Sequence, residues 1–304
     1  MSRLPIKRII IWIILTESML ILSTRLGAFL HEFIGHGLMA VFLGGRFDAF
    51  RLTLFAGGET HFSGNFGETA SVCISLGGIA TNLITGIVVL VIIQRRNLSL
   101  SWVLFGILLA GTSILSQVQY LILGAYYRYG DPKCLATYPI AMTIAWVGGL
   151  AILAYFSWHL MCIFFRLQDM NFPSSRILKR ATTTLVILGI PVLLYAGLYL
   201  SAHTPLGSLA AIHEARLRTQ KEAERIKAEE KSDKDVEEIQ RKLEPFPILP
   251  LVVAIYLITA LIALLQTHKR KGGKITPRIP LTYRYCIPWV ILSVSVLALI
   301  AFLW

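Results

Sequence analysis

Three ionisable residues lie within six consecutive positions of an apolar stretch near the start of the chain. These positions read His31-Glu32-Phe33-Ile34-Gly35-His36. Imidazole nitrogens and carboxylate oxygens are ligands of zinc, and a carboxylate beside the ion can serve as general base for an activated water. Ionisable groups are costly in lipid and usually mark a functional site there. The stretch therefore predicts a metal or catalytic site.

The spacing of the two histidines makes the backbone geometry of this stretch decisive. Zinc enzymes with a His-Glu-x-x-His motif use histidines at i and i+4, which lie about 40° apart on a helix. His31 and His36 are five positions apart, or about 140° on a regular α-helix, and could not hold one ion there. A π-bulge would bring them onto one face, and Gly35 and Gly37 favour such a distortion. Alternatively Glu32 and His36, a true i and i+4 pair, are the ligands.

Asp131 is the predicted third ligand. It lies in Gly130-Asp131-Pro132, just after the third apolar run. The basic loops favour one orientation of the chain, and in that orientation this carboxylate and the two motif histidines lie at similar depth. The alternative is that Asp131 only caps a turn before Pro132, which is a common role for aspartate. Weaker candidates for the ligand are Glu17, His61 and His159.

Asn82 is the predicted substrate-binding residue. It ends the sequence Gly77-Gly78-Ile79-Ala80-Thr81-Asn82 within the second apolar run. Small residues let helices approach closely, and an amide there could hydrogen-bond a substrate backbone or polarise a scissile carbonyl. The alternative is a role in helix packing alone.

The composition places this site in a membrane protein. Of the 304 residues, 55% are hydrophobic and 15% are charged, against about 25% charged in a soluble domain. The formal net charge of +12 comes with basic residues at the ends of apolar runs, where they face anionic lipid. The predicted partner is therefore the lipid bilayer and not nucleic acid. The four cysteines have no metal-site spacing.

The apolar runs predict an all-α polytopic membrane protein of about seven transmembrane helices, since each is long enough to cross a bilayer. The first run is either one long tilted helix or two pieces broken near residues 23–27. Between the first two runs, alternating residues over 46–63 with a turn at Gly57-Gly58 predict a short membrane-associated β-hairpin. The seven runs are 9–44, 69–94, 100–127, 138–165, 181–201, 249–266 and 285–304.

The segment over residues 210–244 differs from the rest, because it is rich in Glu, Lys, Arg and Ala. These residues favour a helix outside the membrane. A thin apolar seam leaves two interpretations, a solvated helix or an arm that binds a protein partner or gates substrate.

These residues together resemble the site-2-protease family of intramembrane zinc metalloproteases, in its smaller bacterial-like branch. The run from Gly37 to Gly45 is similar to the family's sequence after its second histidine, and the 46–63 hairpin is similar to its β-region. Residues 75–82 resemble its Gly-Pro-x-x-Asn segment, with Ile79 where proline is usual. Tyr129-Gly130-Asp131-Pro132 looks like its aspartate motif, and the His-Glu-x-x-x-His motif is one residue longer than usual.

The resemblance implies hydrolysis of peptide bonds in or near transmembrane segments of membrane-protein substrates, by a water activated on Zn²⁺. It implies His31, His36 and Asp131 as the zinc ligands, Glu32 as the catalytic base and Asn82 as a substrate-binding residue. The alternative functions are an inactive relative that binds, stabilises or sorts membrane proteins, and a metal or solute transporter.

The chain then divides into four parts. A metalloprotease-like membrane core covers 1–137, and two additional transmembrane helices cover 138–201. A charged extramembrane helix over 202–248 and two C-terminal transmembrane helices over 249–304 complete the chain.

Overall fold

The apolar runs form helices because a helix satisfies every backbone hydrogen bond within its own segment, as lipid requires. The computed structural model describes residues 6–55, 57–127, 130–172, 177–202, 248–269 and 283–302. Its elements are α1 (Ile6–Phe29), a π-helix (Leu30–Leu38), α2 (Met39–Phe42), β1 (Arg46–Leu52), β2 (Gly58–Ser63), α3 (Glu68–Arg95), α4 (Leu100–Tyr127), a 3₁₀ helix (Asp131–Thr137), α5 (Pro139–Asn171), α6 (Ile177–Thr184), a second π-helix (Leu185–Gly189), α7 (Ile190–Ala202), α8 (Ile248–Lys269) and α9 (Tyr283–Phe302).

Each predicted transmembrane run is helical over nearly all of its described residues. Within the described ranges, five helices are long and apolar enough to cross a membrane, and shorter apolar helices lie within α8 and α9. The prediction of a helical multi-pass membrane protein is therefore confirmed. The first run forms one continuous helix of 37 residues, Ile6–Phe42, so the alternative of two pieces broken near residues 23–27 is wrong. The charged segment 210–244 lies outside the described residues, and the division of the chain into four parts stays a prediction.

The first helix and α4 form the centre of the core. Trp12, Leu15 and Met19 are buried in one cluster with Leu104 and Ile114 of α4. Next to them, α3 and α4 approach closely at Gly86, where a Cβ atom would lie 3.2 Å from the Cβ of Ser113. Small residues at such a crossing allow close backbone packing in a membrane bundle. This packing fixes α3, which carries Asn82, and α4, which leads into the segment that contains Asp131.

The predicted hairpin is present and covers the π-helix. β1 pairs antiparallel with β2 from Arg46 opposite Ser63 to Leu52 opposite Gly58, with an irregularity between Phe47 and Ala49. Phe33 of the π-helix packs on Phe47 of β1, with ring centroids 5.4 Å apart. The hairpin therefore packs onto the same helical segment that contains the histidine motif.

A polar contact also joins the hairpin turn to two helices. The guanidinium of Arg25, buried on α1, donates to the carbonyl of Thr53 at 2.5 Å and to the hydroxyl of Tyr195 on α7 at 3.2 Å. That hydroxyl donates in turn to the carbonyl of Phe55 at 2.5 Å. These bonds hold the turn of the hairpin against α1 and α7.

Candidate metal centre

The histidine motif lies on a π-helix, which is the backbone form that its long spacing requires. Leu30–Leu38 is π-helical and continues into α-helix at both ends. The wider turn places His31 and His36 on one face, with ring centroids 4.7 Å apart and planes at 84°. Both imidazoles are buried. Of the two geometries that the sequence allowed, the structure has the one that brings the histidines together.

Glycines allow the π-helix and α3 to touch through their backbones. A Cβ atom on Gly35 would lie 2.6 Å from the backbone nitrogen of Gly78 and 2.9 Å from the carbonyl carbon of Gly77. A Cβ atom on Gly78 would lie 2.6 Å from Nε2 of His31. The imidazole of His31 therefore fills the space that the missing side chain of Gly78 leaves.

Asp131 approaches both histidines from the start of the 3₁₀ helix. Its Oδ2 atom lies 3.0 Å from Nε2 of His31 and 3.3 Å from Nε2 of His36. Two donors of a tetrahedral zinc ion, each about 2.0–2.1 Å from the metal, lie roughly 3.3 Å apart. The donor types, and the two separations measured from Asp131, fit such an ion.

The hydrogen bonding of His36 also fits a metal ligand. Its Nδ1 atom lies 2.7 Å from the carbonyl oxygen of Ile74, and a carbonyl can only accept, so Nδ1 carries a proton. With Nδ1 as the donor to Ile74, Nε2 faces the Asp131 carboxylate. This nitrogen can give its lone pair to a metal or, when it carries a proton itself, donate a hydrogen bond to the carboxylate. Zinc-bound histidines commonly donate their second ring nitrogen to a carbonyl in this way.

Asp131 is held in its ionised form. Burial raises the pKa of its carboxyl, but the hydrogen bonds from His31 and His36 lower it more, so the pKa lies well below its usual range. The carboxylate is the form in which aspartate binds a metal.

Glu32 lies beside the two histidines and is contacted by the hairpin. Ligand atoms of His31, Glu32 and His36 lie within 4.8 Å of one another, and all three residues are buried. The hydroxyl of Thr60, on β2, lies 2.8 Å from Oε2 and 2.9 Å from the main-chain oxygen of Glu32. Sequence reasoning missed Thr60, because only the fold of the hairpin brings it to the motif.

Asn82 lies on the face of α3 that points to the histidines. It is one helical turn beyond Gly78, which contacts His31, and residues at i and i+4 share a helix face. Its side chain is 1% exposed, and its Oδ1 atom is buried without a hydrogen-bond partner among the described residues. A buried amide oxygen without a partner is unusual in a packed helix.

The weaker candidates for the ligand lie elsewhere. His61 is largely exposed on β2, with Nε2 at 4.0 Å from Glu59. His159 accepts or donates a hydrogen bond with Gln94 at 2.5 Å. The carboxylate oxygens of Glu17 are buried, with no partner among the described residues. None of the three has a contact with the motif histidines among those that the structure records in its described part.

Comparison of the sequence with known protein families identifies the family of this chain. The peptidase M50B-like family matches residues 7–169, more than half of the chain. The chain belongs to the peptidase M50B-like family. This match supports the resemblance to site-2 proteases, and it extends beyond the motifs that carry that resemblance. Comparison with curated proteins and with solved structures gives no match.

Membership of the M50B-like family has a structural counterpart. The matched residues run from α1 to near the end of α5, so they include the motif, the hairpin, Asn82 and Asp131. The M50 peptidases are zinc metalloproteases, and the donor set of this chain fits that metal. The helices α6 to α9 lie beyond the match.

Proposed function

We propose that this protein is an intramembrane zinc metalloendopeptidase, which cleaves membrane-protein substrates in or near their transmembrane segments. One observation carries the proposal: Nε2 of His31 and of His36 converge on Oδ2 of Asp131 at 3.0 and 3.3 Å. These three side chains would hold the ion. Zinc, when bound, supplies a Lewis acid that activates water and polarises the scissile carbonyl.

Glu32 is the base in this proposal. Its carboxylate lies close enough to the two imidazoles to take a proton from water at the site, and hydrogen bonding to Thr60 orients it. If Glu32 were a ligand instead, the site would lack a carboxylate free to accept that proton. As the base, Glu32 would take the proton from water and could pass it to the leaving amine as a general acid.

The hairpin and Asn82 supply the groups for an extended substrate. A two-stranded sheet leaves an outer edge on each strand, and an extended peptide can add to such an edge through main-chain hydrogen bonds. The hairpin contacts Glu32, so a strand added to it would run close to the base. The amide of Asn82 would bind the substrate main chain from α3.

The test uses purified full-length protein in lipid nanodiscs with a library of single-span transmembrane peptides. Wild-type protein should contain about one zinc per chain and release peptide fragments detectable by mass spectrometry. Glu32→Gln should keep the zinc and lose cleavage, whereas His36→Ala should lose both. His159→Ala is the matched control and should lose neither.

The other outcomes point to other functions. Zinc in the wild-type protein without cleavage of any peptide would favour an inactive relative that binds membrane proteins. Loss of zinc in Glu32→Gln would make Glu32 a ligand. A wild-type protein free of zinc would overturn the proposal.

A further inference from the structure

Tyr120 is a residue of α4 that contacts two of the predicted ligands of the candidate metal centre. Its hydroxyl accepts a hydrogen bond from the backbone N–H of Asp131 at 2.9 Å. Its ring lies beside His31, with centroids 6.5 Å apart. The tyrosine therefore contacts the main chain of one predicted ligand and the ring of another.

The hydrogen bond occurs where the backbone needs it. Asp131 is the first residue of the 3₁₀ helix, Asp131–Thr137, and the first N–H groups of a helix have no partner within it. Pro132 has no N–H to offer. The Tyr120 hydroxyl thus binds the N–H of the residue whose carboxylate faces the histidines.

Gly130 brings the main chain onto that hydroxyl. Its backbone has φ 59° and ψ −152°, a conformation that is essentially restricted to glycine. A Cβ atom at this position would overlap the Tyr120 hydroxyl and would lie 2.8 Å from the adjoining ring carbon. The chain therefore turns directly against the tyrosine before it reaches Asp131.

We propose that Tyr120 is a positioning residue for the metal centre, which fixes the backbone of Asp131 so that its carboxylate points at His31 and His36. The inference rests on the proposed zinc site and adds a residue to it. Tyr120 acts through Asp131 and does not touch the ion. Groups that orient a metal ligand typically contribute about tenfold to a hundredfold in metal affinity.

The test measures zinc affinity by chelator competition in Tyr120→Phe, which removes only the hydroxyl. Tyr126→Phe is the matched control on the same helix, where the ring packs on Trp146 with centroids 5.4 Å apart. We expect zinc binding about tenfold weaker in Tyr120→Phe and unchanged in Tyr126→Phe. The visible absorption of Co²⁺ in the site, which reports its ligands and geometry, should change only in Tyr120→Phe.

A double-mutant cycle separates positioning from general loosening of the fold. With Asp131→Ala already present, Tyr120→Phe should weaken zinc binding no further, because the carboxylate that it positions is gone. Additive losses would overturn the inference, as would unchanged affinity and Co²⁺ absorption in Tyr120→Phe.

A second variant disturbs the same contact by changing the main chain instead of the tyrosine. Gly130→Ala keeps the hydroxyl but forces the main chain away from it, and it should give the same weaker zinc binding and altered Co²⁺ absorption. This result decides the matter if Tyr120→Phe does not fold, and unchanged binding would then overturn the inference. If the wild-type protein binds no zinc, the proposed function fails; if wild-type and Tyr120→Phe bind zinc equally, only the role of Tyr120 fails.

Discussion

The hydroxyl of Thr60 lies 2.8 Å from Oε2 and 2.9 Å from the main-chain oxygen of Glu32. A hydroxyl has one proton and two lone pairs, so it can donate to only one of these oxygens at a time. When Glu32 carries a proton, its carboxyl can donate to Thr60 while Thr60 donates to the main-chain oxygen. Both contacts are then hydrogen bonds, and the hairpin holds the proposed base in either form.

Thr60→Val should therefore slow peptide cleavage while zinc content stays at the wild-type level. Valine has the same shape but no hydroxyl, and a hydrogen bond to a charged group contributes about 1.5–3 kcal/mol. Without this hydrogen bond, the rate of peptide cleavage should fall about tenfold or more below that of the wild-type protein. The measurement is cleavage of the transmembrane peptide library under single-turnover conditions.

Thr60→Ser and Thr85→Val are the controls for this effect. Serine retains the hydroxyl and should restore most of the rate. Among the described residues, the Thr85 hydroxyl bonds within its own helix, to the carbonyl of Thr81 at 2.8 Å, so Thr85→Val should have the wild-type rate. Full activity in Thr60→Val would refute the role given to Thr60.

Gly78→Ala should displace His31 and weaken zinc binding. The new Cβ atom would lie 2.6 Å from Nε2 of His31, so the imidazole must move or α3 must shift. We expect zinc affinity to fall at least tenfold, on the scale of other changes that misplace a metal ligand. The measurement is chelator competition on purified protein.

Gly148→Ala is the matched control, because a Cβ atom there would have no neighbour within 4 Å in the described part of the chain. It should leave zinc affinity unchanged, and alanine in place of a helical glycine should even stabilise α5 slightly. Equal zinc affinity in the Gly78 and Gly148 variants would contradict the packing described for His31.

Tyr195→Phe should loosen the hairpin. The variant loses the bond to the Phe55 carbonyl and the contact with Arg25. One neutral hydrogen bond stabilises by about 1 kcal/mol, which corresponds to amide hydrogen exchange in the hairpin about fivefold faster. Mass spectrometry of peptides covering residues 46–63 measures this exchange.

Tyr155→Phe provides the comparison for hairpin exchange. Tyr155 is largely exposed on α5 and stacks on His159 with centroids 5.9 Å apart, and none of its ring contacts among the described residues is with the hairpin. Exchange in residues 46–63 should stay at the wild-type rate in this variant. If Tyr195→Phe also exchanges at that rate, the turn is not held through α7.

The helical fold and the form of the motif could be predicted from the sequence, because both follow from local rules. Long apolar runs must be helical in lipid. Histidines five positions apart share a face only when the helix widens locally to the π-helical form. The hairpin followed from its alternation and from Gly57-Gly58. The structure contains all three features.

The contacts that complete the site could not be predicted, because they depend on how distant segments pack. The residues around Thr60 form no recognisable motif, and only the packing of β2 against the π-helix brings Thr60 to Glu32. The same holds for Tyr120, which meets Asp131 through the turn at Gly130. Whether the first run broke into two pieces was also open, because length and hydropathy fit both forms.

X-ray absorption at the zinc edge of the purified wild-type protein tests the metal centre most directly. The proposed site predicts two imidazole nitrogens together with oxygen donors, all about 2.0–2.1 Å from the ion. Protein without zinc, or a spectrum with fewer than two imidazoles or with sulfur at about 2.3 Å, would contradict the convergence of His31, His36 and Asp131 on one ion.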